Sequence, residues 1–131
     1  VSFFYPHLLL LKNLIPIWNI MSEIYQFFSI LDFLEKQVNK RPADLESVLF
    51  LIGVQELGKG HAFFTKEQKQ DLMHIATCKV LSFSGFYELE GLDEAGWPHW
   101  NLVTPVPSLN LKEQDILLKA HIIHYFESEV F

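Results

Sequence analysis

The run from Thr65 to Trp100 constrains this chain most, because it spells out a helix, its stop and a short ribbon in sequence. Thr65-Lys-Glu-Gln68 is a capping box: the threonine hydroxyl accepts from the backbone three residues on, and the glutamine side chain returns the bond. Behind it, Leu72, Ile75, Ala76, Val80 and Phe83 recur at helical spacing and predict a helix reaching about Ser84, closed by Gly85. The pattern then changes to period two. Tyr87 and Leu89 alternate with Phe86, Glu88 and Glu90, while Trp100 and Leu102 alternate with His99, Asn101 and Val103. Strands Phe86–Glu90 and His99–Val103 are expected to pair around Gly91-Leu-Asp-Glu-Ala-Gly96.

Helical spacing also runs through the flanks. Ile24, Phe27, Phe28, Leu31, Leu34 and Val38 predict a first helix from Ser22 to Asn39, ended by Arg41-Pro42. Asp44 should cap a second, Leu45–Leu57, with Gly58 at its stop. That helix is apolar nearly all round and should be the most buried. After the stiff connector Thr104-Pro-Val-Pro-Ser108, Asn110-Leu-Lys-Glu113 caps a fourth helix, Leu111–Phe126. The expected fold is mainly α: a four-helix domain with a single two-stranded antiparallel β-hairpin between helices three and four. The same order occurs in winged-helix domains.

With 131 residues, half of them apolar, and twelve Phe, the chain can bury a real core as one domain. That domain is expected to span 21–131. Residues 1–20 form an apolar extension that Pro6, His7, Lys12, Asn13 and Pro16 interrupt, too broken for a membrane span or a signal peptide. Either Met21 is the natural start or the extension packs on the domain or a membrane surface. A net charge of −6 and a single arginine, Arg41, speak against phosphate-backbone binding. The lone cysteine, Cys78, excludes an internal disulfide and suits a reducing compartment.

Candidate chemistry concentrates on helix three. Glu67, Asp71, His74 and Cys78 fall in one sector opposite the core positions, and the spacings Asp71/His74 and His74/Cys78 let side chains converge on one metal. A second element would have to complete the shell, from His61, His121 or His124. The alternative is a solvated polar face. Glu56, on the buried second helix, is either a desolvated acid–base group or a carboxylate that snorkels to solvent or pairs with a lysine, and the second reading is preferred. Cys78, mid-helix, reads as an inert thiol rather than a nucleophile. Gly58-Lys-Gly60 lacks phosphate-loop spacing, and no cofactor is expected. Trp97, His99 and Trp100 form a candidate binding surface on the ribbon, unless the indoles merely staple it to the helices.

The polar face of helix three and the acidic ribbon tip (Glu88, Glu90, Asp93 and Glu94) lack the side chains that read DNA grooves. Three strings, Leu49-Phe-Leu-Ile-Gly-Val-Gln-Glu-Leu-Gly58, Lys69-Gln-Asp-Leu-Met-His-Ile-Ala76 and Gly85-Phe-Tyr-Glu-Leu-Glu-Gly-Leu-Asp93 with Gly96-Trp-Pro-His-Trp100, resemble a family of short bacterial proteins of unknown function found in Bacteroidota. The resemblance covers roughly Met21 to Phe126. It implies a bacterial cytoplasmic protein and carries over no functional residue. The expected mode of action is contact with a protein partner or self-association, without nucleic acid or integral membrane insertion. A metal-dependent or acid–base enzyme using Asp71, His74 and Cys78 is the alternative, and a winged-helix nucleic-acid binder the second.

Overall fold

The computed structural model describes residues 6–60 and 63–131. Four helices follow one another, α1 (Pro6–Val38), α2 (Leu45–Leu57), α3 (Lys66–Ser82) and α4 (Leu111–Tyr125), with strands β1 (Tyr87–Leu92) and β2 (Pro98–Leu102) between the last two. The chain is thus mainly helical with one antiparallel hairpin, as the patterning requires. No helix among the described residues is long and apolar enough to cross a membrane.

The caps explain why the boundaries of α2, α3 and α4 are sharp. The Asp44 carboxylate accepts from the Ser47 amide at 2.8 Å, and Gly58 closes α2 in the left-handed conformation at φ 70°. Thr65/Gln68 and Asn110/Glu113 form full reciprocal capping boxes. Each pairing satisfies amides that a helix start leaves without partners.

Three boundaries differ from expectation. Helix α1 begins at Pro6, not Ser22, so residues 6–20 are helical in backbone; residues 1–5 of the extension lie outside the described residues. Helix α4 ends at Tyr125 and widens into a π-helical turn, Phe126–Val130, which seats Phe126 in the core. The hairpin runs further toward its tip than the alternation suggests. A bulge between Leu89 and Gly91 absorbs one residue, and pairing resumes as Gly91↔His99 and Leu92↔Pro98. At the tip, Gly96 is left-handed at φ 84°, completing a three-residue loop of the type that closes with glycine.

The core has two parts. The larger joins Ile30 and Leu34 of α1 to Val48, Leu49 and Ile52 of α2, Ala76, Val80 and Leu81 of α3, and Ile122 and Tyr125 of α4. The smaller gathers Leu57, Leu72 and Ile75, with Phe64 and Trp97 packed on it. Helices α2 and α3 touch at Gly53, where an added Cβ would lie 2.2 Å from the Leu72 carbonyl oxygen.

Candidate functional site

Helix α3 was expected to turn Cys78 outward with Asp71 and His74. Instead Cys78 is completely buried, while Asp71 and His74 remain exposed. The reason is tertiary: the hairpin folds back over this side of α3, so the helix is enclosed by α2 on one flank and the ribbon on the other. The Tyr87 ring meets the His74 ring edge-on at 6.5 Å, and burial together with the neighbouring thiol raises the Tyr87 hydroxyl above its ordinary range. Cys78 Sγ lies 3.5 Å from His74 Nε2. Burial pushes the thiol up to about 11, so it stays protonated at neutral pH.

This carries a direct expectation. A free thiol near 8.5 would hold more than about a hundredfold more thiolate at pH 7.5 than Cys78 does. An aromatic disulfide reagent should therefore label native protein at least about a hundredfold more slowly than protein unfolded in guanidinium. Comparable rates in the two states would contradict the buried placement.

The remaining metal candidates separate. His121 donates from Nδ1 to the Leu117 carbonyl at 2.7 Å, which leaves Nε2 to accept from the Ser84 hydroxyl at 2.6 Å. Both ring nitrogens are thereby engaged, the Leu117 bond within α4 and the Ser84 bond fastening α4 to the residues just after α3. His124 packs against Phe83 with the rings tilted at 60° and centroids 4.6 Å apart. His61 lies outside the described residues. Among the described residues, no three His, Cys, Asp or Glu side chains are grouped so as to hold a metal ion.

Glu56 meets a lysine and also a tyrosine. Its carboxylate lies 3.7 Å from Lys79 Nζ and accepts from the Tyr125 hydroxyl at 3.0 Å. Lys79 also reaches Glu129 at 3.2 Å and sits 5.5 Å from the Phe83 ring centre. Burial, followed by the charge of Glu56, holds the Tyr125 hydroxyl far above the ordinary phenol range, so it acts as a fixed donor. Tyr125 and Glu129 are too distant in sequence from Glu56 for any spacing rule to connect them.

The hairpin residues converge with the α3 residues. Asp71, His74, Asp93, Trp97, His99 and Trp100 line one cleft of about 480 Å³ between α3 and the ribbon. Trp97 is half-buried on the smaller core cluster, its ring 6.4 Å from that of Phe64, so this indole anchors the hairpin as well as lining the cleft. The Trp100 indole N–H is shut away from solvent and meets no acceptor among the described residues. Asp93 organises the tip. It accepts from His99 Nε2 and from the Trp97 amide, both at 2.9 Å, and these two bonds, His99 first, hold its carboxyl below the usual range. Sequence reading counted Asp93 only as one of several tip acids. Its place at the head of the loop, where aspartate side chains bond backbone amides further on, was the available signal. Lys59, from the loop after α2, donates to the Ala95 carbonyl and ties the same turn to the helices.

Comparison with known proteins brings in no relative. No protein-family model, curated protein or solved structure matches the chain.

A second surface is apolar. The expected α1 stripe is split between core and solvent: Leu34 is buried, together with Ile30 from outside the stripe, whereas Ile24 and Phe28 stay 51% and 54% exposed. With Phe27, Leu31 and Ile116 they line a cleft of about 460 Å³ between α1 and α4, rimmed by Glu23, Asp115 and Lys119. Lys119 pairs with Asp115 at 3.0 Å and lies 5.2 Å from the Phe27 ring centre.

Proposed function

We propose that the protein acts by binding another polypeptide through the apolar seam of α1 and α4, and that a second copy of the chain is that partner. One observation carries this reading: Met21, Ile24, Tyr25 and Phe28 are all more than half exposed. Their spacing is i, i+3, i+4 and i+7, that of a helix face packed on another helix. Exposed Ile116 widens the seam from α4. A contiguous apolar strip rimmed by charge is the usual form of an interaction surface. The rim is self-complementary, since it carries Glu23 as well as Lys119. In a two-fold arrangement the same patch serves both copies, and each glutamate can face the other copy's lysine. The bacterial origin and cytoplasmic location that the family resemblance implies belong to the same proposal.

Light scattering and sedimentation of the full chain across micromolar concentrations test it. The unaltered protein is expected to be a dimer, and Ile24→Glu with Phe28→Glu a folded monomer, because about half of each side chain is already solvated. Two apolar side chains lost from an interface correspond to a weakening of about a hundredfold or more. A monomer at every concentration, or a charged variant that still dimerises, would refute self-association.

A further inference from the structure

We infer that the cleft between α3 and the hairpin binds a small organic cation of the quaternary or alkylated ammonium class. The inference uses none of the α1 and α4 residues and stands apart from self-association. The cleft brings two indoles, Trp97 and Trp100, together with two carboxylates, Asp71 and Asp93, in about 480 Å³. That volume is in the range of small-molecule sites, and a floor formed by buried Ile75 gives it an apolar base. Neither lysine nor arginine lines it among the described residues, so a bound cation meets no competing fixed charge of that kind.

The chemistry selects among ligands. An anion would face two carboxylates. A bare metal ion needs three or more converging donors, and among the described residues no such group exists. An alkylated ammonium needs neither: it is attracted by the negative faces of aromatic rings and by carboxylates at longer range, and its alkyl groups tolerate an apolar floor. Asp93 is fixed in place by His99 and the Trp97 amide, so it presents charge without rearranging. Asp71 has no ion-pair or hydrogen-bonding partner among the described residues, which leaves its carboxylate available to a ligand. The chain's net charge of −6 favours approach of a cation from any direction.

The test is titration of the full chain with choline chloride against its uncharged carbon isostere, 3,3-dimethylbutan-1-ol, followed by the indole N–H resonances. The signals of Trp97 and Trp100 are expected to shift and saturate with choline. Equal concentrations of sodium chloride should leave both unmoved. A preference of about tenfold or more for the charged probe is expected, since aromatic attraction to a desolvated cation is of that order. Asp71→Asn, an exposed helical position whose replacement leaves the fold intact, should weaken choline severalfold. Absence of saturation, equal binding of the isostere, or undiminished choline binding by Asp71→Asn would each overturn the inference.

Discussion

Gly53→Ala is expected to destabilise the protein by about 3 kcal/mol or more, lowering the melting temperature by roughly 10 °C. Alanine normally improves an interior helical position by about 0.5–1 kcal/mol, so the expected sign is the reverse of the intrinsic preference. The reason is the meeting of α2 with α3. A Cβ at position 53 would stand 2.2 Å from the Leu72 carbonyl oxygen and 2.9 Å from the Leu72 Cβ. The obstructing atom is backbone, which cannot swing aside as a flexible side chain would. The two helices must move apart, and Val48, Ile52, Ala76 and Val80, all essentially buried, lose contacts as they do. Gln55→Ala, at an exposed position on the same helix, is the control and should change stability by less than about 0.5 kcal/mol. Denaturant unfolding of the two variants measures the contrast. Equal or greater stability for Gly53→Ala would mean that α2 and α3 do not approach as described.

Leu72→Ala has the next largest expected effect, about 3 kcal/mol within the usual span of about 2–5 for a fully buried leucine. Leu72 is 0% exposed and forms the centre of the smaller core cluster. Trp97 packs on that cluster, so the cavity would open beneath the residue that anchors the hairpin. An isolated two-stranded ribbon is marginal in water and depends on such an anchor. Amide exchange should accordingly quicken in Tyr87–Leu92 and Pro98–Leu102 more than in α4. Uniform acceleration throughout the chain would instead indicate that the hairpin and helices open as one unit. Because the obstruction at Gly53 is mainly with the Leu72 backbone, truncating the leucine side chain should not rescue Gly53→Ala. The two changes are close enough to couple, and a double-mutant cycle gives the size of that coupling.

What could be read beforehand divides along the range of the interactions. Asp44 with Gly58, Thr65 with Gln68, and Asn110 with Glu113 act within a few residues of themselves, and α2 together with the starts of α3 and α4 lies where those signals put it. The hairpin between α3 and α4 was legible for the same reason. The inward placement of Cys78 was not, because it depends on a ribbon that returns across the helix from later in the chain. A period of 3.6 identifies opposite faces but does not say how many of them are covered. Gly53 looked like an unremarkable residue in an apolar run; its role is visible only when Leu72 stands beside it.

The candidate site divides in the same way. Asp71 and His74 were singled out for one purpose and Trp97, His99 and Trp100 for another, from two separate patterns. Folding of the hairpin over α3 merges the two groups into one cleft. His121, which sequence spacing allowed as a further ligand, is committed to Ser84 and Leu117. Helical periodicity fixes the sector a side chain occupies, whereas convergence of groups on different elements is decided by tertiary packing.

Lys79 is within 4 Å of two carboxylates, Glu56 at 3.7 Å and Glu129 at 3.2 Å, contributed by α2 and by the turn that follows α4. One ammonium therefore acts as the rivet for three stretches of polypeptide. Acylation of that nitrogen would remove the positive charge that Glu56 and Glu129 share. The rivet would become a wedge, and the last turn of the chain would be the first part pried loose.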